Sequence, residues 1–545
     1  MRRVLFVLLA ACGGGPEGPI SARVTNYDYK FDIDSRVAHT AITFVAEMGG
    51  NCITLPVRGA TAASLTNVTL DGEDATGAVM GDALEACGGS VDTGDSATLE
   101  ADLVIPLATL EDSQVGYSIK PDRQGNPFYY LVSWVGGCDQ FSPCDNRADQ
   151  FATYHFTVSH PANFMVRCPG TIAEHGTSTE CTFDMPGGPT YSTFGVAAYP
   201  AWTTMDKGSW GGVNVTLYDR AATNIAGAID SAYHAGFIEW MQSQFGPYPY
   251  GSDLRILTAP TYWNGFEHPG NIVLADTLAT STNSVYANAT AHTLDHEITH
   301  MWAGDQTTLA NTYDFVWKEA MAEYLSFVYE DEHAATGVGL RTAAAWKLFA
   351  APSNPSQYYP VPLDSPRPAL FDFYGDAYGP GPMVLFRQLE VLTSREKVIG
   401  AIKSLLGQPH AVSVDDVLAA LAQSTGLDLG GYANAWVRGS GAPDWPKYTV
   451  SYTNATNTLV LTMTNAKSTP RGCRFHVALQ NSAMDQMQLV EVNTFTGGEN
   501  QTITVPTPAF TVAKVVLDPL SECLVYSATT SVTRSVRMKP WVADN

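Results

Sequence analysis

Short runs of β-branched and aromatic residues fill the first part of the chain. Runs such as 40–45 (TAITFV) and 152–158 (ATYHFTV) are separated by stretches rich in Gly, Pro, Asn and Asp. Such runs are typical of strands, and no helical period persists among them. The pattern predicts an N-terminal β-sheet domain over residues 20–210.

Helical periodicity begins near residue 220 and continues for about two hundred residues. It predicts an α-rich domain over 211–443, with one strand at 254–259. Gly and Pro punctuate the segment, and Asp314 is one possible N-cap for a helix there. The predicted helices are 222–245, 283–303, 313–332, 335–349, 380–394, 395–406, 414–423 and 429–438.

Alternation of apolar and polar positions returns after the Gly-Ser-Gly-Ala-Pro break at 439–443. Short runs at 448–452, 459–463, 475–479 and 501–505 indicate a small C-terminal β-sandwich over 444–545. The predicted fold class is therefore multidomain α+β. It has an N-terminal β-sheet domain, an α-rich middle domain and a C-terminal β-sandwich.

The chain is strongly acidic. It has 54 Asp and Glu against 30 Lys and Arg, which gives a formal net charge of −24. Because a negative surface repels phosphate backbones, this balance argues against nucleic acid as a partner. The charge does not indicate the fold, and the oligomeric state stays open.

The N-terminus has the pattern of an export signal. A basic start, Met1-Arg2-Arg3, precedes a short apolar run at 4–11, which is too short to span a bilayer. The run ends in Ala-Ala-Cys-Gly and resembles a bacterial lipoprotein signal, which predicts Cys12 as the lipidated residue. The alternative is an ordinary secretory signal. We expect residues 1–19 to be signal and tether, and the protein to be exported, facing the periplasm or the cell surface, with membrane contact through this anchor only.

Eight cysteines remain after Cys12, and an even number in an exported protein suggests disulfides. Eight cysteines allow 105 pairings in principle, so the connectivity stays open at this stage. Pairing neighbours along the chain predicts Cys52–Cys87, Cys138–Cys144, Cys168–Cys181 and Cys473–Cys523. None lies between 182 and 472, which argues against cysteine as a metal ligand there.

The α-rich domain contains the pattern H-E-x-x-H at His296, Glu297 and His300. On a helix, residues four apart share one face, which suits two imidazoles that bind one zinc ion. Glu297 projects roughly 100° around the helix axis and can reach a water near the metal without ligating it. We therefore predict His296 and His300 as zinc ligands and Glu297 as the catalytic base.

A catalytic zinc site needs a third protein ligand, and Glu319 is the candidate. The segment between His300 and Glu319 is long enough for one helix to end and a second helix to present its face to the first. Glu323 lies four residues further on, on the same helical face as Glu319. We predict that Glu323 is a carboxylate behind the ligands that orients a ligating histidine.

These motifs resemble the gluzincin zinc metallopeptidases of the aminopeptidase N and leukotriene hydrolase family (family M1). The resemblance rests on His296–Trp302, on the Gly-Asp pair at 304–305, and on the W-x-E-x-x-A-E-Y segment at 317–324. It implies a thermolysin-like catalytic domain that holds one zinc ion. It also implies an aminopeptidase that removes N-terminal amino acids from peptides with a free N-terminus.

The same resemblance assigns a substrate-binding segment. The family's G-x-M-E-N segment corresponds to 264–268, where Glu267 matches the glutamate that binds the substrate's α-amine. The resemblance assigns Gly265 to substrate binding together with Glu267. Asn264, Phe266 and His268 replace the family's glycine, methionine and asparagine.

The resemblance further implies a tyrosine that hydrogen-bonds the oxyanion formed during the reaction. Tyr378 matches this tyrosine, and Tyr374 is the alternative. Pro380 and Pro382 stand where the family usually has lysine and alanine.

One family feature is missing. The 133–140 loop has no carboxylate where relatives place a second contact to the substrate amine, although Asp139 or Gln140 could replace it if the loop is rearranged. Two alternatives therefore stay open. The first is a zinc endopeptidase or other zinc hydrolase that uses the same site. The second is a binding lipoprotein with a vestigial metal site.

Overall fold

The protein is described here by a computed structural model. The structure describes residues 16–108, 115–122, 124–261, 263–281, 284, 286–350, 358–367, 382–466 and 469–528. The chain divides into two compact units. The first comprises Met1–Lys318 with Ile402–Val417, and the second comprises Glu319–Ala401 with Leu418–Asn545.

The N-terminal part of the first unit consists of sheets, as predicted. An eight-stranded sheet has the spatial order Thr171–Glu174, Ser178–Pro189, Phe151–Ser159, Ser21–Asp32, Val37–Met48, Ser96–Val104, Thr66–Leu70 and Glu73–Asp74. A three-stranded sheet is formed by Gly50–Pro56, Ala83–Val91 and Thr76–Val79. A four-stranded sheet follows the order Met165–Arg167, Gly195–Tyr199, Pro127–Val132 and Gly116–Pro121. Short helices lie at Gly59–Ser64, Cys138–Gln140 and Thr190–Thr193.

Aromatic side chains fill the core of this N-terminal part. The Phe194 ring lies 5.0 to 5.8 Å, centroid to centroid, from five other rings. These rings belong to Tyr27, Tyr29, Phe141, Tyr154 and Phe156. Alternate residues of each strand point into this core, which explains the period-two pattern of the sequence.

A five-stranded sheet of the first unit leads to the metal-binding motif. Its order is Thr203–Trp210, Val213–Asp219, Asp253–Ala259, Asn271–Ala275 and Gly265–Phe266. The strand predicted at 254–259 is confirmed. The boundary predicted after residue 210 falls in the turn between two paired strands, because the Trp210 and Val213 positions pair with each other. The predicted boundary therefore lies within one sheet and not between two sheets.

The helices of the first unit are shorter than the periodicity predicts. The segment predicted as one helix at 222–245 forms two, Ile225–Ala228 and Ser231–Phe245. The helix breaks there because Asp230 is extended and its side chain accepts hydrogen bonds from the next helix's first amides. The helix predicted at 283–303 spans Ala289–His300 and is capped by Asn288. A short 3₁₀ turn at Leu278–Thr280 precedes it.

We call Ala289–His300 the histidine helix and Phe315–His333 the glutamate helix. The glutamate helix follows a 3₁₀ turn at Thr312–Asp314. The cap of this turn is Asn311 rather than Asp314. The Asn311 side chain accepts from the backbone while Asp314 reaches back to the Asn311 amide, which forms a capping box. Asp314 takes part in this box and directly precedes the glutamate helix, and its role as that helix's N-cap stays a prediction.

Further helices lie at Val338–Phe349, Met383–Leu392, Arg395–Leu405, Val414–Thr425 and Gly430–Tyr432, followed by a π turn at Ala433–Val437. Two small parallel pairs join Thr307–Leu309 to His410–Val412 and Val361–Pro362 to Arg438–Gly439. The second unit ends in two sheets. One has the order Gln501–Thr504, Thr458–Met463, Lys447–Thr453 and Tyr526–Ser527, and the other Met487–Asn493, Arg474–Gln480 and Lys514–Leu517. A short helix, Thr494–Gly497, connects strands there.

The architecture confirms the predicted fold class: N-terminal sheets, a helical middle region and a β-rich C-terminal part. The structure forms all four disulfides predicted from sequence neighbours. Among the described residues, no helix combines the length and the apolar character that a membrane crossing requires.

The aromatic core predicts a stability effect. We expect Phe194→Ala to lower the free energy of unfolding by about 3 to 5 kcal/mol, because it leaves a cavity among five rings. Phe164 is a matched control, since it is only partly buried and its ring contacts Tyr129. Urea unfolding of both alanine variants measures the difference. An equal loss at the two positions would contradict the assignment of Phe194 to the core.

Candidate metal centre

The two histidines of the histidine helix point their Nε2 atoms at one place. These atoms lie 3.0 Å apart. His300 Nδ1 lies 3.0 Å from the Ala303 carbonyl oxygen and must donate to it, since a carbonyl only accepts. The hydrogen bond therefore leaves His300 Nε2 with its lone pair available for a metal.

The glutamate helix brings a carboxylate to the same place. One ligand atom from each of His296, His300 and Glu319 can be chosen so that all three lie within 4.8 Å of one another. His300 and Glu319 are buried, and His296 is partly buried. Two imidazoles and one carboxylate form a donor set of catalytic zinc sites, so the residues present fit a zinc ion.

A second group of three also meets the distance requirement. It combines Glu267, Glu297 and His300. We favour the set with His296 and Glu319, because Glu267 already has a buried cationic partner. Lys318 Nζ lies 2.6 Å from Glu267 Oε1, and both side chains are almost fully buried.

Gly265 packs directly against Glu297. A Cβ atom built on Gly265 would lie 2.2 Å from Glu297 Oε1, a distance that no real side chain tolerates. Gly265 belongs to the edge strand Gly265–Phe266, which pairs antiparallel with Asn271–Ala275. The absence of a side chain therefore lets this edge strand reach the carboxylate of Glu297.

The ion pair between Glu267 and Lys318 was not foreseen from the sequence. It joins the residue after the edge strand to the glutamate helix, at the position immediately before Glu319. A buried carboxylate requires such a partner, because an isolated charge is costly to remove from water. The position of the basic residue Lys318 directly before the predicted ligand Glu319 could have suggested this ion pair.

His268 is held as a neutral imidazole behind Glu267. Its Nδ1 lies 2.5 Å from the Ser192 carbonyl oxygen, and its Nε2 lies 2.9 Å from the Tyr130 hydroxyl. Burial lowers the pKa of His268 to about 4. Burial also raises the pKa of Tyr130 well above its usual range, and the nearby carboxylates of Glu267 and Glu297 add to that rise. The Tyr130 hydroxyl therefore keeps its proton and donates a hydrogen bond to His268 Nε2.

Residues far apart in the sequence complete this surrounding layer. Ser192 Oγ donates to Asp305 Oδ1 over 2.6 Å. Burial raises the pKa of Asp305 well above its usual range, and the charge of Glu267 raises it further. A Cβ on Gly195 would lie 2.2 Å from the His268 ring, so this glycine makes room for the imidazole. Of these positions only Asp305 belongs to a local motif, the Gly-Asp pair at 304–305, and no motif marks Ser192 or Gly195.

A buried histidine and carboxylate support the histidine helix from behind. His234 Nδ1 lies 2.7 Å from Asp295 Oδ1, and both side chains are fully buried. The His234 ring stacks on Trp210. Because Asp295 immediately precedes His296, this pair ties the motif to the neighbouring helix Ser231–Phe245.

The predicted roles of several other residues are not settled by the described structure. Asp139 forms an ion pair with Arg58, with nitrogen and oxygen 2.7 Å apart. Glu323 is buried one turn after Glu319 on the glutamate helix, and its orienting role stays a prediction. The predicted oxyanion residue Tyr378, its alternative Tyr374 and the predicted lipidation residue Cys12 lie outside the described residues.

The helices that carry this centre match a known family. Residues 231–436 match the model described as the peptidase family M1 domain. The chain carries a peptidase family M1 domain. The resemblance stated from the motifs is therefore confirmed, and the M1 domain includes His296, His300 and Glu319.

A named relative is aminopeptidase N of Streptomyces lividans. It is 26% identical to this chain over 233 residues, which cover 40% of this chain. The aligned part spans 26% of that relative's own length. The similarity therefore concerns a part of this chain and a part of the relative, not the whole of either.

Solved structures share the fold over a larger part of the chain. A mutant of a two-domain M1 zinc metallopeptidase bound to L-tryptophan has a TM-score of 0.60 at 20% identity, covering 78% of this chain and 96% of its own. An M1 zinc metallopeptidase mutant from Deinococcus radiodurans, bound to a Tyr-Ser-Ala substrate, has the same TM-score and identity. The match covers 95% of that chain. The chain thus shares its fold with two-domain M1 zinc metallopeptidases over 78% of its length.

The neutral state of His268 predicts a pH effect. Its pKa is about 4 in the folded chain against an ordinary value of 6.5, so the folded state binds fewer protons between these values. Stability should therefore rise with pH across this window and be lost as the pH falls through it. We expect the free energy of unfolding to change by an amount on the order of 3 kcal/mol across this window, and we expect no such change in His268→Gln. Urea unfolding of both proteins at pH 4 to 7 measures it, and parallel curves would contradict it.

Proposed function

We propose that the chain is a zinc-dependent aminopeptidase that removes N-terminal amino acids from peptides. The observation that carries this proposal is the convergence of His296, His300 and Glu319, with Glu297 beside them against Gly265. The M1 domain match and the similarity to an aminopeptidase N support it.

His296, His300 and Glu319 would hold the zinc ion. When bound, zinc supplies a Lewis acid that polarises a peptide carbonyl and acidifies a nearby water. Glu297 takes the proton from the attacking water and later delivers it to the leaving amine. The close packing of Gly265 limits the positions open to the Glu297 carboxylate. This restriction favours a proton transfer that needs little rearrangement.

Glu267 would bind the substrate's α-ammonium group and so set the distance from the N-terminus to the cut bond. Gly265 lies two residues earlier, on the edge strand next to Glu297. Lys318 balances the charge of Glu267 when no substrate is bound. The ammonium group of a bound peptide would then contact Glu267 as a second cation beside Lys318.

Tyr378 would stabilise the oxyanion of the tetrahedral intermediate, with Tyr374 as the alternative. This part of the proposal rests on the sequence resemblance alone. Glu323 would act through the ligands, by orienting a histidine.

A second candidate is a zinc endopeptidase that uses the same centre. The position of Asp139 favours it, because the ion pair with Arg58 engages the carboxylate that could have served as a second amine contact. An enzyme with one amine contact discriminates less strongly between free and blocked N-termini. The acetylation experiment below separates the two candidates.

We further propose that the protein works outside the cytoplasm as a lipoprotein anchored through Cys12. The four disulfides support an oxidising compartment, since such bonds are rare in reducing ones. Mass spectrometry of the membrane fraction would reveal the lipid on Cys12. A soluble, unmodified chain with a different first residue would contradict the anchor.

The metal centre predicts linked losses of metal and activity. We expect His300→Ala to reduce bound zinc from one ion per chain to well below that value, and Glu297→Gln to keep the zinc while kcat falls by roughly 100-fold or more. Elemental analysis and hydrolysis of an aminoacyl-coumarin substrate provide the two readouts. Wild-type protein without zinc and without turnover would instead favour the binding lipoprotein with a vestigial site.

The amine contact predicts sensitivity to N-terminal blocking. We expect acetylation of a test peptide to lower kcat/KM by at least about 100-fold, because Glu267 loses its charge-assisted partner. Glu267→Gln should lower kcat/KM for the free peptide and narrow the gap between the two peptides. Equal cleavage of free and acetylated peptides by the wild-type enzyme would contradict the aminopeptidase and favour the endopeptidase.

A further inference from the structure

Three aromatic side chains of the first unit pack together next to the segment that carries Gly265 and Glu267. The Trp134 and Trp263 rings lie 6.3 Å apart, centroid to centroid, with their planes tilted by 31°. The Phe315 ring lies edge-on to Trp134, also at 6.3 Å. We call these three side chains the aromatic wall. The reaction proposed above assigns no role to them.

Trp263 belongs to the chain directly before the substrate-binding segment. The next residue, Asn264, is fixed because its carbonyl oxygen accepts a hydrogen bond from the Ala275 amide over 2.9 Å. Gly265 follows and packs against the Glu297 carboxylate. The main chain of Trp263 is therefore held two residues from the contact with the proposed catalytic base.

Trp134 comes from a separate loop that is anchored to the same part of the first unit. The preceding residue, Ser133, donates a hydrogen bond from its Oγ to the Tyr191 carbonyl oxygen over 2.9 Å. His268 Nδ1 lies 2.5 Å from the carbonyl oxygen of Ser192. Two consecutive carbonyl groups thus hold the neighbour of Trp134 and the neighbour of the proposed amine contact.

The 133–140 loop contributes an indole where relatives were expected to contribute a second amine contact. Its only carboxylate, Asp139, accepts a hydrogen bond from Arg58 Nε over 2.8 Å. Arg58 Nη2 also donates to the Gly136 carbonyl oxygen over 2.6 Å. These bonds fix the main chain of the loop, so the Trp134 ring is held in place within the wall.

The members of the aromatic wall differ in exposure. Trp134 and Phe315 are 5% and 1% exposed, whereas Trp263 is only partly buried. Phe315 is the first residue of the glutamate helix and lies one turn before Glu319, on the same helical face. The two buried rings form the base of the wall, and Trp263 supplies the indole surface that a ligand can contact.

We propose that Trp263 contacts the side chain of the substrate's first residue and gives the enzyme a preference for large apolar residues there, above all aromatic ones. This inference rests on the proposed aminopeptidase function. In that function Glu267 fixes the ammonium group of the first residue and the metal centre fixes its carbonyl group. The side chain on the same carbon then has one direction left, and the aromatic wall adjoins both the edge strand and the glutamate helix.

The charges of the site favour an apolar side chain over a charged one. A carboxylate on the first residue would add negative charge near Glu267 and Glu297, and a basic side chain would add positive charge near Lys318. An aromatic ring instead buries apolar surface against the indole and adds no charge.

A panel of aminoacyl-coumarin substrates tests the preference. We expect wild-type kcat/KM for the phenylalanyl substrate to exceed that for the alanyl substrate by about 10-fold or more. The arginyl and glutamyl substrates should also be cut at least about 10-fold less efficiently than the phenylalanyl one. A guanidinium can stack on an indole, so a preference for arginine over phenylalanine would overturn the apolar assignment.

Substitutions of Trp263 locate the preference. Trp263→Ala should lower kcat/KM for the phenylalanyl substrate by about 10-fold and change that for the alanyl substrate by less than about 2-fold. Trp263→Phe should keep most of the preference. The matched control is Trp240→Ala, which removes another partly buried indole of the first unit, stacked on Phe237 at 6.0 Å, and should leave the ratio unchanged. A general loss of folded enzyme cancels in this ratio.

A binding measurement separates this proposal from the proposed function. In Glu297→Gln protein with its zinc, calorimetry should show L-phenylalaninamide binding about 10-fold more tightly than L-alaninamide, and adding Trp263→Ala should abolish the difference. Turnover of the alanyl substrate without a phenylalanine preference in either assay would overturn the role of Trp263 and leave the aminopeptidase intact. No turnover of any substrate, together with tighter binding of L-phenylalaninamide, would overturn the aminopeptidase and support the aromatic contact. A preference that survives Trp263→Ala would overturn the proposal as well.

Discussion

The buried ion pair between Glu267 and Lys318 is the interaction on which the metal centre depends. Lys318 Nζ and Glu267 Oε1 lie 2.6 Å apart, and both side chains are almost fully buried. Each charge alone would be costly to bury, so the pair persists only if both elements keep their positions. It connects the end of the edge strand Gly265–Phe266 to the start of the glutamate helix. The proposed amine contact and the proposed ligand Glu319 are therefore positioned by the same bond.

Glycines determine how closely the elements around this pair can approach. Gly265 allows the edge strand to reach Glu297, and Gly195 gives space to the His268 ring. Gly304 has a positive φ of 134°, and a Cβ there would lie 2.6 Å from the Lys318 side chain. Each contact involves a group of the centre or its immediate support. A methyl group at any of these positions would displace that group rather than fill a void.

The layer behind the ion pair is polar but largely uncharged. His268 stays neutral between Ser192 and Tyr130, and the raised pKa of Asp305 favours its protonated form. Neutral hydrogen-bonded groups support Glu267 without competing for the cation that it is proposed to bind.

The sequence by itself determined the order of β, α and β regions and the family, because these depend on local periodicity, spacing and short motifs. It left the disulfide connectivity open, and the structure confirms the four pairs predicted from sequence neighbours. Spacing on a helix also suggested that His296 and His300 share a face, and the structure places their Nε2 atoms 3.0 Å apart. Only the tertiary structure decided the partners of Glu267, His268 and Asp139. Lys318, Tyr130 and Arg58 lie tens of residues away in the chain, and no periodicity relates positions that meet only when separate strands and helices pack together.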